Sequence, residues 1–280
     1  MIGLLFGDTD FPKKIFKKIK KNKIKYLIID LSKNNFFKKD PYSMSIGIGQ
    51  LGKILEVLKK NKCKKVLFAG KIIKPKFSSL KMDLKGFYYL PRIIKAAKLG
   101  DAAILKTIIS ILSKEKIKVV SSITYNPELV LSKGIYTKIK PNKEDIASIR
   151  KGIKSLSKLN PYDYTQALVI KGKNVIAKET SKGTKKMLQL IDGNKHKETN
   201  GILIKFPKDK QDLRIDLPTI GFDTLKDCKK AGIKGIVLKS KKNIFMDKSK
   251  NINFANKNKI FIKVLWKKFL YLLESPQETS

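Results

Sequence analysis

Up to about residue 125 the chain alternates short apolar runs with stretches of helical period, and that alternation admits few folds. Ile2 to Phe6 and Lys25 to Asp30 read as strands, Val66 to Ala69 as a buried strand, and the run near Val119 as another. Between them, Pro12 to Lys20, Gly49 to Lys60 and Asp101 to Lys114 carry the helical spacing of apolar positions. Strands separated by helices return to their sheet in parallel, through right-handed crossovers. The expectation for residues 1–126 is therefore a Rossmann-like parallel-sheet domain. Residues 127–142, with Pro127, Gly134 and Pro141, show no period and read as a linker.

A distinct C-terminal α/β domain is expected over residues 143–272. It opens on a helix from Asn142 to Leu159, where Glu144 and Asp145 after Asn142 make a capped start. Ala167 to Ile170 and Val175 to Lys178, joined around Gly172, read as a β-hairpin. A short helix over Gly183 to Ile191, a strand over Ile202 to Phe206, a helix ending near Gly232 and strands at Ile236 to Leu238 and Ile260 to Leu265 follow. Residues 273–280 are a polar tail.

The formal charge of +40 invites a nucleic-acid role, since a basic surface releases counterions from phosphates. The kind of cation argues otherwise. Only three of the 63 basic residues are arginines, Arg92, Arg150 and Arg214, and the lysines are spread along nearly every helix. Base readout favours the arginine fork, so no nucleic-acid partner is expected, whereas attraction to an anionic membrane surface is. No apolar run is long enough to span a bilayer and no signal peptide precedes Gly7, which places the expected protein in the cytoplasm. Cys63 and Cys228, far apart and both in stretches read as helical, suggest neither disulfide nor thiolate metal site. His196, the lone histidine, leaves no histidine-rich metal site, and neither a G-x-S-x-G elbow nor a Walker loop is present.

The stretch Gln211-Asp212-Leu213-Arg214-Ile215-Asp216-Leu217-Pro218-Thr219-Ile220-Gly221 carries the most chemistry. If extended, it presents Asp212, Arg214 and Asp216 on one face and Leu213, Ile215 and Leu217 on the other. Carboxylates there suit a hard cation such as Mg²⁺, which keeps waters and bridges substrate phosphates, and the arginine suits a bidentate phosphate clamp. The helix near Phe222 adds backbone N–H groups for an anion. An ordinary edge strand with an internal ion pair is the competing explanation. Gly70-Lys71 follows a buried strand, at the carboxyl edge where α/β sheets collect ligands, and Glu179 with Gly183-Thr184 precedes a helix N-terminus. Turns with N-caps explain both equally well.

Asp216 to Gly221, together with Phe68-Ala69-Gly70-Lys71, Gly47 to Lys53, Leu99-Gly100-Asp101 and Ala231 to Ile236, resembles the UDP-2,3-diacylglucosamine diphosphatases of the LpxI type, in matching order and spacing. The resemblance implies Mg²⁺-dependent hydrolysis of UDP-2,3-diacylglucosamine to UMP and 2,3-diacylglucosamine 1-phosphate (lipid X), a step of lipid A biosynthesis. It also implies an N-terminal Rossmann-like and a C-terminal α/β domain, with Asp216 as the essential aspartate. Where the family has Gly-Thr-Asp, this chain has Gly183-Thr184-Lys185, which shifts the expected carboxylate work onto Asp216 and Glu179.

The resulting hypothesis takes Asp216 and Arg214 as catalytic and Asp216 and Asp212 as Mg²⁺ ligands. Gly70, Lys71, Glu179, Gly183, Thr184, Lys205 and Thr219 are assigned to the substrate. Arg214, Lys205 and Lys71 neutralise the diphosphate, and Asp216 is alternatively the general base. Peripheral contact with the inner membrane and a homodimer fit this picture. Two rivals remain: a non-catalytic lysine-rich module binding RNA or anionic membrane, and a nucleotide-sugar diphosphatase acting without acyl chains.

Overall fold

The computed structural model describes residues 1–72, 80–158, 165–193, 199–208 and 211–266. The chain divides into two compact units: Met1–Pro127 with Asp212–Asp216, and Glu128–Gln211 with the chain from Leu217 onward. Each is α/β, as expected.

The N-terminal unit comprises β1 (Ile2–Phe6), α1 (Phe11–Lys21), β2 (Tyr26–Asp30), β3 (Ser43–Ser45), α2 (Leu51–Lys60), β4 (Lys65–Ala69), α3 (Leu84–Lys98), α4 (Asp101–Lys114) and β5 (Lys118–Val120). The five strands run parallel in the order β3-β2-β1-β4-β5, so the winding direction reverses between β1 and β4. Every residue of β1 is buried, as a central strand covered on both faces requires. Ile15 and Ile19, one helical turn apart on α1, and Ile54, Leu55 and Leu58 on α2 supply part of that cover. Two elements were not foreseen. β3 is three polar-flanked residues, and α3 contains Gly86 and Pro91, which punctuate its helical pattern. Cys63, expected in a helix, lies past the end of α2 in the turn into β4; both cysteines are buried and free.

One carboxylate starts two helices. Asp83 accepts from Gly86 N at 2.8 Å, capping α3, and from Gly52 N and Lys53 N at 3.0 and 2.8 Å, meeting orphan donors of α2. Burial pushes its carboxyl up, but these backbone donors and Lys85 outweigh that and hold it below the usual carboxylate range. A depressed carboxylate contributes stability that is present above its ordinary value, about 3.9, and lost as pH falls through the lower folded one. Asp83→Ala is expected to cost about 2 kcal/mol near neutrality, and the cost should shrink as urea melts are repeated toward pH 3 (about one unit below the ordinary carboxylate value). A pH-independent difference would disprove the capping account.

The C-terminal unit holds β6 (Gly134–Ile135), α5 (Lys143–Ser157), β7 (Ala167–Lys171), β8 (Asn174–Lys178), α6 (Gly183–Gly193), β9 (Gly201–Lys205), β10 (Thr219–Ile220), α7 (Phe222–Lys230), β11 (Ile233–Lys239), β12 (Ile244–Phe245), α8 (Lys248–Lys257) and β13 (Phe261–Leu265). Its six-stranded sheet has the order β6-β13-β11-β9-β7-β8, with β13, β11 and β9 parallel and the hairpin β7-β8 entering antiparallel to β9. Gly134–Ile135, inside the stretch expected as a linker, pairs antiparallel with β13. Side chains alternate across the sheet: Ile202 and Ile204 pack with Ile149 and Ile153 of α5, while Leu203 packs with Leu188 of α6 and Leu225 of α7. α5 begins with the expected cap, now a full box: Asn142 Oδ1 accepts from Asp145 N at 2.8 Å and Asp145 Oδ2 from Asn142 N at 3.1 Å. Among the described residues no helix is long and apolar enough to cross a membrane.

The extended course expected for 212–216 is not found. Asp216 N and Ile215 N both donate to Asp212 O, at 3.0 and 3.2 Å, so the segment is a tight turn and its side chains do not alternate between two faces.

Candidate active site

Lys205 is the last residue of β9, and Glu179 follows β8 at the same end of the sheet. Between them stands Thr184, in the first turn of α6. The Lys205 ammonium donates to Thr184 Oγ1 at 2.8 Å, and the Thr184 hydroxyl donates to Glu179 Oε1 at 2.6 Å. Glu179 Oε2 accepts from Gln166 N at 3.0 Å, and Lys205 also donates to the Thr219 carbonyl at 3.3 Å. Glu179, Thr184 and Lys205 are each only 8% exposed. Burying two opposite charges is tolerable because a hydroxyl, able to accept on one side and donate on the other, links them.

The surroundings of this relay favour an anion. α6 begins at Gly183, whose φ of +81° suits glycine, and α7 begins after Gly221 without a side-chain cap. Both helix starts, with their backbone N–H groups and positive dipole ends, lie in the chain beside residues that Lys205 touches. A side-chain carbon built on Gly183 or Gly221 would meet no atom within 4 Å. Asn243, unforeseen, makes this end rigid: it donates to Lys205 O at 2.9 Å and accepts from Lys239 N at 2.8 Å, tying β9 to β11. Nothing in the polar stretch around it signalled that role. Below, the Cys228 thiol is fully buried and burial pushes its pKa up, which leaves it an inert packing group.

The remaining candidates belong to the N-terminal unit. Arg214 grips Asp212 with Nε at 2.9 Å and Nη2 at 2.6 Å, and Arg214 N donates to Asp212 Oδ1 at 3.0 Å. That side-chain bond outweighs the cost of partial burial and holds the Asp212 carboxyl below the usual carboxylate range. Ser121 Oγ donates to Leu213 O, and Ile215 packs on the N-terminal core, so the turn is anchored at two points. Gly70 and Lys71 follow β4 where the sheet reverses its winding, and Lys71 bridges Asp8 through both backbone groups at 2.8 Å. Gly70, at φ +91°, has no room for a side chain: a Cβ would sit 2.6 Å from Asp8 O. Asp30, at the end of β2, spends its carboxylate on Ser32 and on Phe37 N. His196 lies outside the described residues.

Among the described residues no three His, Cys, Asp or Glu side chains gather as a metal site. Mg²⁺ does not need such a gathering; one or two carboxylates with substrate phosphate oxygens and waters suffice. Asp212 would have to release Arg214 to serve; the carboxylate of Asp216 is of the oxygen-donor type that such an ion takes.

Residues 1–129 match the LpxI N-terminal domain, and residues 132–263 the LpxI C-terminal domain. A Caulobacter vibrioides protein named UDP-2,3-diacylglucosamine pyrophosphatase LpxI is 33% identical over 224 residues, which are 78% of this chain and 80% of that protein.

Proposed function

The chain belongs to the LpxI family, matching both of its domains in order, and on that footing we propose that it hydrolyses the diphosphate of UDP-2,3-diacylglucosamine to UMP and 2,3-diacylglucosamine 1-phosphate. The observation that carries this reading is the buried Lys205–Thr184–Glu179 relay beside two helix N-termini. An ammonium and helix dipoles held in place before substrate arrives stabilise phosphate charge without reorganising in the transition state. Lys205 binds a phosphate oxygen, Glu179 holds Thr184 and so positions the ammonium, and the open backbone at Gly183 and Gly221 admits the phosphoryl group. Within the N-terminal unit, Asp212 fixes the plane of the Arg214 guanidinium, the fork geometry that suits a phosphate. Asp216 is the proposed carboxylate ligand of Mg²⁺. Bound there, Mg²⁺ would neutralise charge on the leaving phosphate and orient it.

Release of UMP from UDP-2,3-diacylglucosamine by the purified protein tests this directly. Release is expected with Mg²⁺ and only background with chelator. Absence of release in both would sink the activity, and release that survives the chelator would remove Mg²⁺ and the ligand role of Asp216 from the reading.

A further inference from the structure

α3 is packed on one side only. Gly86 and Ala96 are buried and Tyr89, Leu90 and Ile93 half-buried, while the opposite stripe, at helical spacing, is exposed. That stripe begins with Leu84 at 90% exposure, Phe87 at 59% and Tyr88 at 77%. It continues through Arg92 and Lys95, also exposed. The whole helix, LKGFYYLPRIIKAAK, has no acidic residue. Soluble surfaces rarely leave three large apolar side chains together unless something covers them.

The charges beside the patch select what that is. A second copy of the same face would bring Arg92 and Lys95 against their own kind, which like-charge repulsion opposes. A polyanion lacking apolar depth would satisfy the cations but leave an aliphatic Leu84 in water. A bilayer with anionic headgroups satisfies both: aromatic and aliphatic side chains settle at the headgroup and acyl boundary, and arginine and lysine reach the phosphates on long apolar stems. We propose that the exposed face of α3 docks this protein on anionic membranes, with Leu84, Phe87 and Tyr88 inserted and Arg92 and Lys95 among the headgroups. The face is chosen by its geometry and charge and does not depend on the hydrolysis proposed above.

Because the whole chain carries +40, salt-sensitive adhesion alone proves nothing, and the test must read insertion. The full-length protein is floated with phosphatidylethanolamine–phosphatidylglycerol vesicles in about 0.1 M and about 0.5 M NaCl, beside L84S/F87S/Y88S and a control, I176S/L190S, that alters exposed apolar residues of the C-terminal unit. The α3 variant should lose binding about tenfold in the higher salt, where insertion dominates, while the control floats like wild type and all melt alike. In a Trp266→Phe background, Phe87→Trp emission should move to shorter wavelength on these vesicles and stay put on phosphatidylcholine. Equal flotation of the α3 variant, or an emission that does not move, overturns the proposal. So does an α3 variant that loses a dimer or single-stranded RNA binding while still floating. The vesicles hold no nucleotide lipid, so failure here leaves the UMP assay untouched.

Discussion

Lys205→Met is expected to slow UMP release about 10²–10³-fold at saturating substrate, the range seen when one preorganised electrostatic donor is removed. Methionine keeps the unbranched stem inside β9 and removes only the charge and its donors. Removing the ammonium leaves the buried Glu179 carboxylate without its cation, a cost of about 3–5 kcal/mol, so the rate is read at a temperature where a melt shows the variant folded. Glu179 still accepts from Thr184 and from Gln166 N, and Asn243 still ties the residue-205 carbonyl. Lys205→Arg should not restore the rate. The guanidinium is larger and planar, and the ammonium site is 8% exposed with partners at 2.8 and 3.3 Å that fit a point charge. The loss belongs in kcat, since the ammonium meets charge that grows during reaction. A methionine variant within threefold of wild type (about 0.6 kcal/mol in transition-state terms) would place the diphosphate elsewhere.

The second large effect concerns stability. Phe261→Ala should cost about 3–5 kcal/mol in urea denaturation, the upper range for deleting a buried aromatic ring. The reason is its partner. Phe261 on β13 lies directly across from Gly235 on β11, and a Cβ at position 235 would sit 2.0 Å from the ring's Cζ. The ring occupies the place of the missing side chain and joins Ile149 and Ile153 of α5 in the core. Removing it opens a hole over a glycine, which has nothing to lean into the space. The pairing is testable by a cycle: Gly235→Val alone must overpack and destabilise, yet in the Phe261→Ala background it should recover at least about 1 kcal/mol. Additive costs would mean that ring and glycine are independent.

Much of this architecture was legible because period and punctuation agreed. β1, α1, α2 and α4 lie where apolar spacing puts them, and Asn142 was readable as a cap because Asp145 stands three residues on. α8 was not, since KSKNINFANK buries only Asn251 and Ala255 and shows no apolar stripe. β10 and β12 are two residues each, too short to express a period. The alternation in Asp212 to Asp216 misled because it suits a half-buried strand and an Asx-type turn equally; Asp212, by accepting from Arg214 N, took the turn. Glu179, Thr184, Lys205 and Thr219 were nameable one by one from glycine positions, helix starts and family resemblance. Their mutual hydrogen bonds cross from residue 179 to residue 219, and local pattern holds no record of such distances.

The grouping of Asp212–Asp216 with the N-terminal unit bears on how the protein is made. Ile215 is part of the packing around the N-terminal core, and Leu213 accepts from Ser121, yet both are translated long after Pro127. At about 5–20 residues per second a ribosome needs of the order of ten seconds to add them. Until then the N-terminal half lacks the packing of Ile215 and the acceptor for Ser121, so the domain that emerges first is completed last, by a loop from the chain that follows.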